Sequence, residues 1–205
     1  MAREIGSIAF TPLVREAQLR KGSRKTYSNW DEPRAFAGFT AAEREFITER
    51  DGFYQSSVTE TGWPYVQFRG GPPGFLRVLD ERTLAYADLS GNRQYLSVGN
   101  LQGNDRVMLF LMDYANRRRL KLWGRARLLE ADQDPELMAR LLGDSGDHAE
   151  RSVIITIEAS DWNCPQHITP RYTLEEIHEI IAPLQERIAQ LEAQLKTRGE
   201  TRNEV

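Results

Sequence analysis

Four consecutive residues, Ser90-Gly91-Asn92-Arg93, have the composition of a phosphate-binding turn. They follow a run of β-forming residues (83–87) and precede a helix-like stretch (94–98). Free backbone N–H groups at the start of a helix attract anions. An arginine beside them adds a permanent positive charge and a planar set of donors that fits phosphate oxygens. The sequence therefore predicts a phosphate site at this turn, with Arg93 as its cation.

Two further stretches have residue types suited to a ligand site. Gly70-Gly71-Pro72-Pro73-Gly74 follows a predicted strand, and its glycines would let a ligand approach the backbone, although a wide turn explains the composition equally well. Along a long strand predicted at 117–129, apolar residues that face one side of the sheet alternate with bulky, mostly cationic residues that face the other. That second face carries Arg119, Lys121, Trp123, Arg125 and Arg127. Such a face meets water, a partner chain or an anionic ligand.

The other residues that could take part in chemistry are isolated. Cys164 is the only cysteine, so the chain has no internal disulfide and no cysteine metal cluster. The imidazole of His167 suits either a proton donor or a structural hydrogen bond. No group of His, Cys and carboxylate residues has metal-ligand spacing, and no Ser-His-Asp signature is present. We therefore expect no metal site.

Short apolar or alternating runs surround these candidate sites and are separated by Gly, Pro, Asp and Asn. They lie at 53–59, 64–69, 75–79, 83–87, 106–112, 117–129 and 151–159. Such close spacing is typical of antiparallel strands in a small barrel or sandwich. The sequence thus predicts a mainly β fold with flanking helices.

The predicted helices begin at capping boxes, in which two side chains satisfy free N–H groups of the first turn. These boxes are Thr40-Ala41-Ala42-Glu43 and Thr173-Leu174-Glu175-Glu176. After the second box, apolar residues recur at spacings of four and three, at Ile177, Ile181, Leu184, Ile188, Leu191 and Leu195. This pattern fits a two-chain coiled coil or a helix packed on its own barrel, and Pro183 predicts a kink or a new helix start. We divide the chain into a helical cover (1–50), a barrel (51–172) and a C-terminal helix with a polar tail (173–205).

Composition argues against several classes of protein. Of the 205 residues, 40% are hydrophobic, which is enough for one sizeable core. The formal net charge of −3 does not suit a general nucleic-acid-binding protein. No apolar run approaches the ~20 residues of a membrane helix, and residues 1–25 lack the apolar core of a signal peptide. We expect a soluble cytoplasmic protein with no nucleic-acid or membrane partner.

Several of these segments together resemble the pyridoxamine 5'-phosphate oxidase family over about residues 40–172. The resemblance rests on Gly62-x-Pro64-Tyr65, the 90–93 turn, Asn100, the apolar strand to Met112 and Leu120-x-Leu122-x-Gly124-x-Ala126. The stretch from Asp161 to Arg171 resembles the tail of an uncharacterised FMN-binding branch of that family. The family implies an FMN-binding split β-barrel that forms a homodimer with FMN at its interface.

The resemblance also implies which residues contact the flavin. The strand segment along the isoalloxazine and ribityl chain falls on Gln67, Phe68, Arg69 and Gly70, although the family usually has arginine at the position of Gln67. The basic pair that holds the phosphate falls on Asn92 and Arg93, of which only Arg93 is charged.

Later positions complete the implied site. Arg119 matches a polar strand position that touches the flavin, and Arg119 or Lys121 is implied to reach across from the other chain of the dimer. Trp162 and Arg171 match a late tryptophan and arginine that close the site, and His167 is a further candidate flavin contact.

The chain departs from the family members that oxidise vitamin B6. Those members have a lysine soon after the flavin strand, where this chain has Gly71-Pro72, and an Arg-Leu-His motif with no counterpart here. We therefore expect an FMN-dependent oxidoreductase that acts on an unidentified small molecule, with no catalytic residue assigned. The alternative is a flavin- or haem-binding protein without turnover.

Overall fold

The computed structural model describes residues 5–30, 34–143, 148–162 and 164–200, with the backbone alone for 197–200. The chain divides into two compact units. The first comprises residues 1–113 and 118–166, and the second comprises residues 114–117 and 167–205. The division into three segments made from the sequence remains a prediction.

Seven strands of the described chain form one antiparallel sheet in the first unit. They are β1 (Gly52–Val58), β2 (Pro64–Gly70), β3 (Arg77–Val78), β4 (Thr83–Leu89), β5 (Arg106–Asp113), β6 (Arg118–Glu130) and β7 (Ala149–Trp162). Their order in the sheet is β2-β1-β5-β6-β7-β4-β3, and neighbouring strands pair antiparallel. The mainly β fold predicted from the sequence is confirmed.

Helices flank this sheet in the sequence. They are α1 (Ile5–Ala9), α2 (Pro12–Arg20), a 3-10 helix (Arg24–Trp30), α3 (Ala41–Thr48), α4 (Leu96–Gly103), α5 (Pro135–Leu142) and α6 (Leu174–Glu200). The first capping box is present in full, since Thr40 Oγ1 accepts from the Glu43 amide and a Glu43 carboxylate oxygen accepts from the Thr40 amide. No helix among the described residues is long and apolar enough to cross a membrane.

The larger core lies on one face of the strands, as the alternating pattern of β6 predicts, and a smaller cluster on the other face of β4 and β7 packs against α5 through Ala85, Ile154, Leu137 and Leu141. Leu120, Leu122 and Ala126 are buried, while Arg125 and Arg127 are exposed. A side chain at Gly124 would collide with the backbone carbonyl of Thr156 on β7, so this buried position needs glycine.

Three elements differ from the sequence-based expectation. Of the strand expected at 75–79, only β3 is present. The start of the segment instead belongs to a turn in which the Phe75 amide donates to the Pro72 carbonyl. The helix expected from Gln94 begins only at Leu96, because Arg93 and Tyr95 have φ angles of 59° and 52°. Of the two outcomes predicted for Pro183, the new helix start is wrong because this residue lies inside α6, and the kink remains a prediction.

Candidate functional site

An open cavity of about 240 Å³ lies among β2, β4, β7 and the start of α4. We call it the α4 pocket. Its walls are Tyr65, Gln67 and Arg69 of β2, Asp88 and Leu89 of β4, Gly91–Val98, and Glu150 and Arg151 of β7. Gln67, Arg69, Asn92 and Arg93, four of the residues predicted from the sequence, are therefore brought together at one site.

The alternation of β2 explains which of its residues reach the pocket. Successive side chains on a strand point to opposite faces, so Gln67 and Arg69 share the pocket side. Phe68 points to the other side, where it is 58% exposed and packs edge-on against Tyr54. Gly70 lines a separate cavity of about 110 Å³ with the following Gly-Pro loop. The flavin contacts predicted for Phe68 and Gly70 remain predictions.

The turn before α4 has an unusual backbone conformation. Positive φ angles at residues other than glycine cost about 1–3 kcal/mol each and concentrate at functional sites. Here both Arg93 and Tyr95 have them, and the Gln94 amide donates to the Asn92 side chain at 3.2 Å. The Tyr95 side chain makes no capping bond to α4. The first turn of α4, which lines the pocket, therefore presents its N–H groups without a cap from Tyr95.

A buried ion cluster forms one wall of the pocket. The Asp88 carboxylate contacts Arg69 Nη1 at 2.8 Å and Arg151 Nη1 at 3.0 Å. Arg151 also contacts Glu150 at 2.7 Å and Glu130 at 3.3 Å. Burial lowers the pKa of Arg151, but its hydrogen bonds to Asp88, Glu150 and Glu130 outweigh burial and raise that pKa. Arg151 is therefore held in its charged form.

Neutral hydrogen bonds fix the side chains beneath the pocket. Ser97 of α4 donates to Gln67 Oε1 at 2.6 Å, which leaves the Gln67 amide nitrogen as a donor. Tyr86 donates to Gln55 Oε1 at 2.8 Å, and burial raises the pKa of the Tyr86 hydroxyl well above its ordinary value. The buried Nε atom of Arg69 has no hydrogen-bond partner among the described residues.

Other predicted site residues lie away from the α4 pocket. Lys121 on β6 contacts Asp161 at 3.9 Å, and the buried Nε of Arg119 lacks a hydrogen-bond partner among the described residues. The Trp162 ring packs against Phe46 at 4.8 Å between centroids. Their flavin contacts remain predictions.

His167 and Arg171 belong to the second unit. His167 has a positive φ angle of 64°, and the Arg171 guanidinium lies 4.9 Å from the centroid of the Tyr114 ring in the same unit. Their roles also remain predictions.

The opposite side of the sheet carries an exposed apolar surface. Strand pairing places Phe68, Tyr54, Phe110 and Lys121 in one row across β2, β1, β5 and β6. We call this surface, with the neighbouring Val66, Met108, Met112, Arg119 and Trp123, the outer sheet face. Tyr54, Val66 and Phe68 are exposed, and the others are partly buried. Exposed apolar side chains that cluster in this way mark interaction surfaces.

Three residues of the site, Asp88, Glu150 and Arg151, were not predicted from the sequence. Asp88 lies opposite Arg151 in the pairing of β4 with β7, although 63 positions separate them in the chain. The only local signal was that Glu150 and Arg151 directly precede an apolar, β-branched run. Their convergence depends on the strand order, which the sequence pattern does not reveal.

The part of the chain that forms the sheet and the pocket matches a known protein family. The model described as pyridoxamine 5'-phosphate oxidase matches residues 39–163. The chain belongs to the pyridoxamine 5'-phosphate oxidase family. The match spans the sheet and the α4 pocket, and the predicted split β-barrel is confirmed. The chain has no match among curated protein sequences.

Solved structures with similar folds include HupZ of Group A Streptococcus. That likeness has a TM-score of 0.51 at 14% identity and covers 65% of this chain and 99% of that one. An FMN-binding protein from Syntrophomonas wolfei gives a TM-score of 0.48 at 12% identity, with 74% of this chain and 95% of that one covered. A FAD-binding protein from Mesorhizobium loti gives 0.45 at 15% identity, with 60% and 94% covered. At these identities the likeness to HupZ shows the fold alone.

The buried ion cluster predicts a large effect on stability. Asp88→Asn removes the shared carboxylate of Arg69 and Arg151, so we expect the free energy of unfolding to fall by about 3 kcal/mol. Asp105→Asn is the matched control, because the Asp105–Arg125 pair is exposed on both sides and should contribute less than about 1 kcal/mol. Urea unfolding at one protein concentration measures both. Equal losses in the two variants would contradict the structural role of Asp88.

Proposed function

We propose that the protein binds FMN in the α4 pocket as a homodimer and uses the flavin for redox chemistry on a small molecule. One observation carries the proposal: three arginines, an asparagine and the first turn of a helix line a single open cavity. Family membership supports the proposal, because the family pattern described above implies FMN contacts at Gln67, Arg69, Asn92 and Arg93.

The pocket has donors that fit a phosphate. Arg93 is 74% exposed at its side chain, and its one ion contact within the described part of the chain is a long one, 4.0 Å to Glu150, so its guanidinium can turn toward a ligand. Asn92, Arg69 and the start of α4 add neutral and charged donors on the same wall. Charge-assisted hydrogen bonds of this kind contribute about 1.5–3 kcal/mol each. These residues would hold the phosphate, and the Gln67 amide nitrogen would reach the more polar parts of the flavin.

The size of the pocket supports a second chain in the site. Small-molecule sites typically enclose about 300–1,000 Å³, whereas the α4 pocket offers about 240 Å³ and is open. β2 is an edge strand whose Gln67 and Arg69 face the pocket while Val66 and Phe68 belong to the outer sheet face. A second copy that packs on the outer sheet face therefore meets the rim of the pocket at β2. There it would cover the exposed part of the flavin and exclude water.

The bound flavin would supply the redox chemistry by accepting and passing on a hydride. The residues of this chain would bind it, orient it and shield it, as is usual for cofactor enzymes. The described lining of the pocket contains no His, Cys or Met, three of the four residue types that ligate haem iron, and of its two tyrosines Tyr95 already donates to Glu150. This lining favours flavin over haem. A flavin-holding protein without turnover is the second candidate, because the same lining offers no evident general acid or base near neutral pH.

The phosphate assignment predicts a selective loss of affinity. Arg93→Ala should weaken FMN binding by about 10- to 100-fold and leave the weaker binding of riboflavin, which lacks the phosphate, almost unchanged. Arg106→Ala is the control, since Arg106 is exposed and lies outside the pocket lining. Quenching of flavin fluorescence measures all the affinities. Equal losses for FMN and riboflavin would refute the assignment.

The redox proposal predicts a cycle of reduction and reoxidation. We expect NADH or NADPH to bleach the bound flavin without oxygen, and air to restore its colour. Pyridoxamine 5'-phosphate should yield no peroxide above background, because Gly71-Pro72 stands where the vitamin B6 oxidases have a lysine. Stopped-flow absorbance and a peroxide assay provide the measurements. A flavin that neither nicotinamide reduces would favour the holding function, and steady turnover of pyridoxamine 5'-phosphate would contradict our interpretation of that loop.

A further inference from the structure

The carboxylate of Glu150 lies within a set of donors suited to an anion. Its Oε1 atom accepts from the Tyr95 hydroxyl at 3.1 Å and from the Ser90 hydroxyl at 3.4 Å, and lies 4.0 Å from Arg93 Nε. Its Oε2 atom accepts from Arg151 Nη2 at 2.7 Å. Two hydroxyls and two guanidiniums, from the turn before α4 and from β7, thus surround one carboxylate. Phosphate oxygens take the same kinds of donor.

This carboxylate is ionised at neutral pH. Partial burial raises the pKa of Glu150, but hydrogen bonds from Tyr95, Arg151 and Ser90, with the charge of Arg151, lower it below the ordinary value. Glu150 also lines the α4 pocket beside Arg93. The Glu150 carboxylate therefore already binds several of the donors that a phosphate in the pocket would need, and its negative charge repels that phosphate.

We propose that Glu150 is an internal anion that occupies the phosphate subsite of the α4 pocket and competes with the phosphate of the ligand. The proposal rests on the proposed FMN site and adds a determinant of its affinity. Glu150 orders Ser90, Arg93, Tyr95 and Arg151 in the free protein, and a bound phosphate replaces it at these donors. The negative charge of Glu150 lowers the affinity for phosphorylated ligands relative to unphosphorylated ones.

Glu150→Gln tests this competition, since it keeps the size and a hydrogen-bond acceptor but removes the charge. We expect FMN to bind about threefold to tenfold more tightly, because like charges placed side by side disfavour binding. Riboflavin binding should not change. Glu130→Gln is the matched control: Glu130 also contacts Arg151, at 3.3 Å, but is more than half exposed and lies outside the pocket lining. An unchanged or lower FMN affinity in Glu150→Gln would overturn the proposal, because a merely structural carboxylate gives that result.

Inorganic phosphate, used as a probe without flavin, separates this inference from the proposed function. Phosphate should raise the unfolding temperature of Glu150→Gln more than that of the unchanged protein. If this happens while neither protein binds FMN, the competition stands and the proposed function fails. If FMN binds but neither phosphate nor FMN distinguishes the two proteins, the proposed function stands and the competition is wrong. If neither phosphate nor FMN affects the unchanged protein or Glu150→Gln, both the proposed function and the competition are wrong.

A second, independent observation concerns α6. Within the second unit, the apolar residues of its heptad pattern are largely exposed, including Leu184, Ile188 and Leu195. With Ile177 at a d position, Ile181 and Ile188 occupy a positions, and Leu184 and Leu191 occupy d positions. Ile at a with Leu at d favours parallel two-stranded coiled coils. Pro183 falls at a c position, on the outside of such a coil.

The charged residues beside this pattern also match a parallel pair of helices. Arg187 is at a g position, and Glu192 is at the e position five residues later. In a parallel coiled coil, a g residue of one helix faces that e residue of the other, so Arg187 meets Glu192 of the second copy in two symmetric ion pairs. We infer that α6 pairs with α6 of a second copy of this chain in a parallel coiled coil.

Disulfide crosslinking of the full-length chain tests the inference, with Cys164→Ser removing the only native thiol. Leu191→Cys should crosslink two chains efficiently on mild oxidation, because equivalent d positions face each other only in a parallel pair. Ala189→Cys, at an outward b position, is the control and should crosslink at least about tenfold more slowly.

Charge reversal tests the ion pair. Arg187→Glu should slow the crosslinking of Leu191→Cys, and adding Glu192→Arg should restore it. Equal crosslinking from both positions, or none from position 191, would overturn the parallel pairing.

Discussion

The ion cluster centred on Asp88 is the interaction on which the rest of the site depends. β2 lies at one end of the strand order and β4 lies next to the other end, yet Asp88 of β4 contacts Arg69 of β2 at 2.8 Å. Asp88 also joins β4 to Arg151 of the neighbouring β7. A buried carboxylate with two guanidiniums is stable only when every charge is paired in good geometry. The cluster therefore fixes the separation of the strands on which the α4 pocket is built.

The strained turn before α4 connects the start of that helix to the ion cluster. Its positive φ angles at Arg93 and Tyr95 delay the start of the helix to Leu96 and bring the Tyr95 hydroxyl to Glu150 of β7. Tyr95 also lies beneath the Arg151 guanidinium, which is 5.4 Å from the centre of its ring. The turn is thus tied to the same arginine that holds Asp88. Positive charges, hydroxyls and helix N–H groups consequently meet at one cavity.

The sequence predicted those features that depend on local patterns. Alternation along β6 identified Leu120 and Leu122 as core residues. The turn at 90–93, for which the sequence predicts a phosphate site, lines a cavity with Asn92 and Arg93, and the phosphate itself remains a prediction. The start of α4 was predicted two residues early, because a backbone in the left-handed region leaves no clear mark in residues such as arginine and tyrosine. Asp88 and Glu150 were missed, because Arg151, which pairs with Asp88, and Tyr95, which pairs with Glu150, are 63 and 55 positions away in the chain.

We propose that this pocket, completed by a second chain, holds FMN. The most direct test is to purify the protein after growth with riboflavin and to record its visible absorption spectrum together with its mass in solution. We expect the two absorption bands of a flavin, release of that flavin as FMN on denaturation, and one FMN per chain in a particle of two chains. A protein that stays colourless and monomeric, and that takes up no FMN when FMN is added in excess, would contradict it.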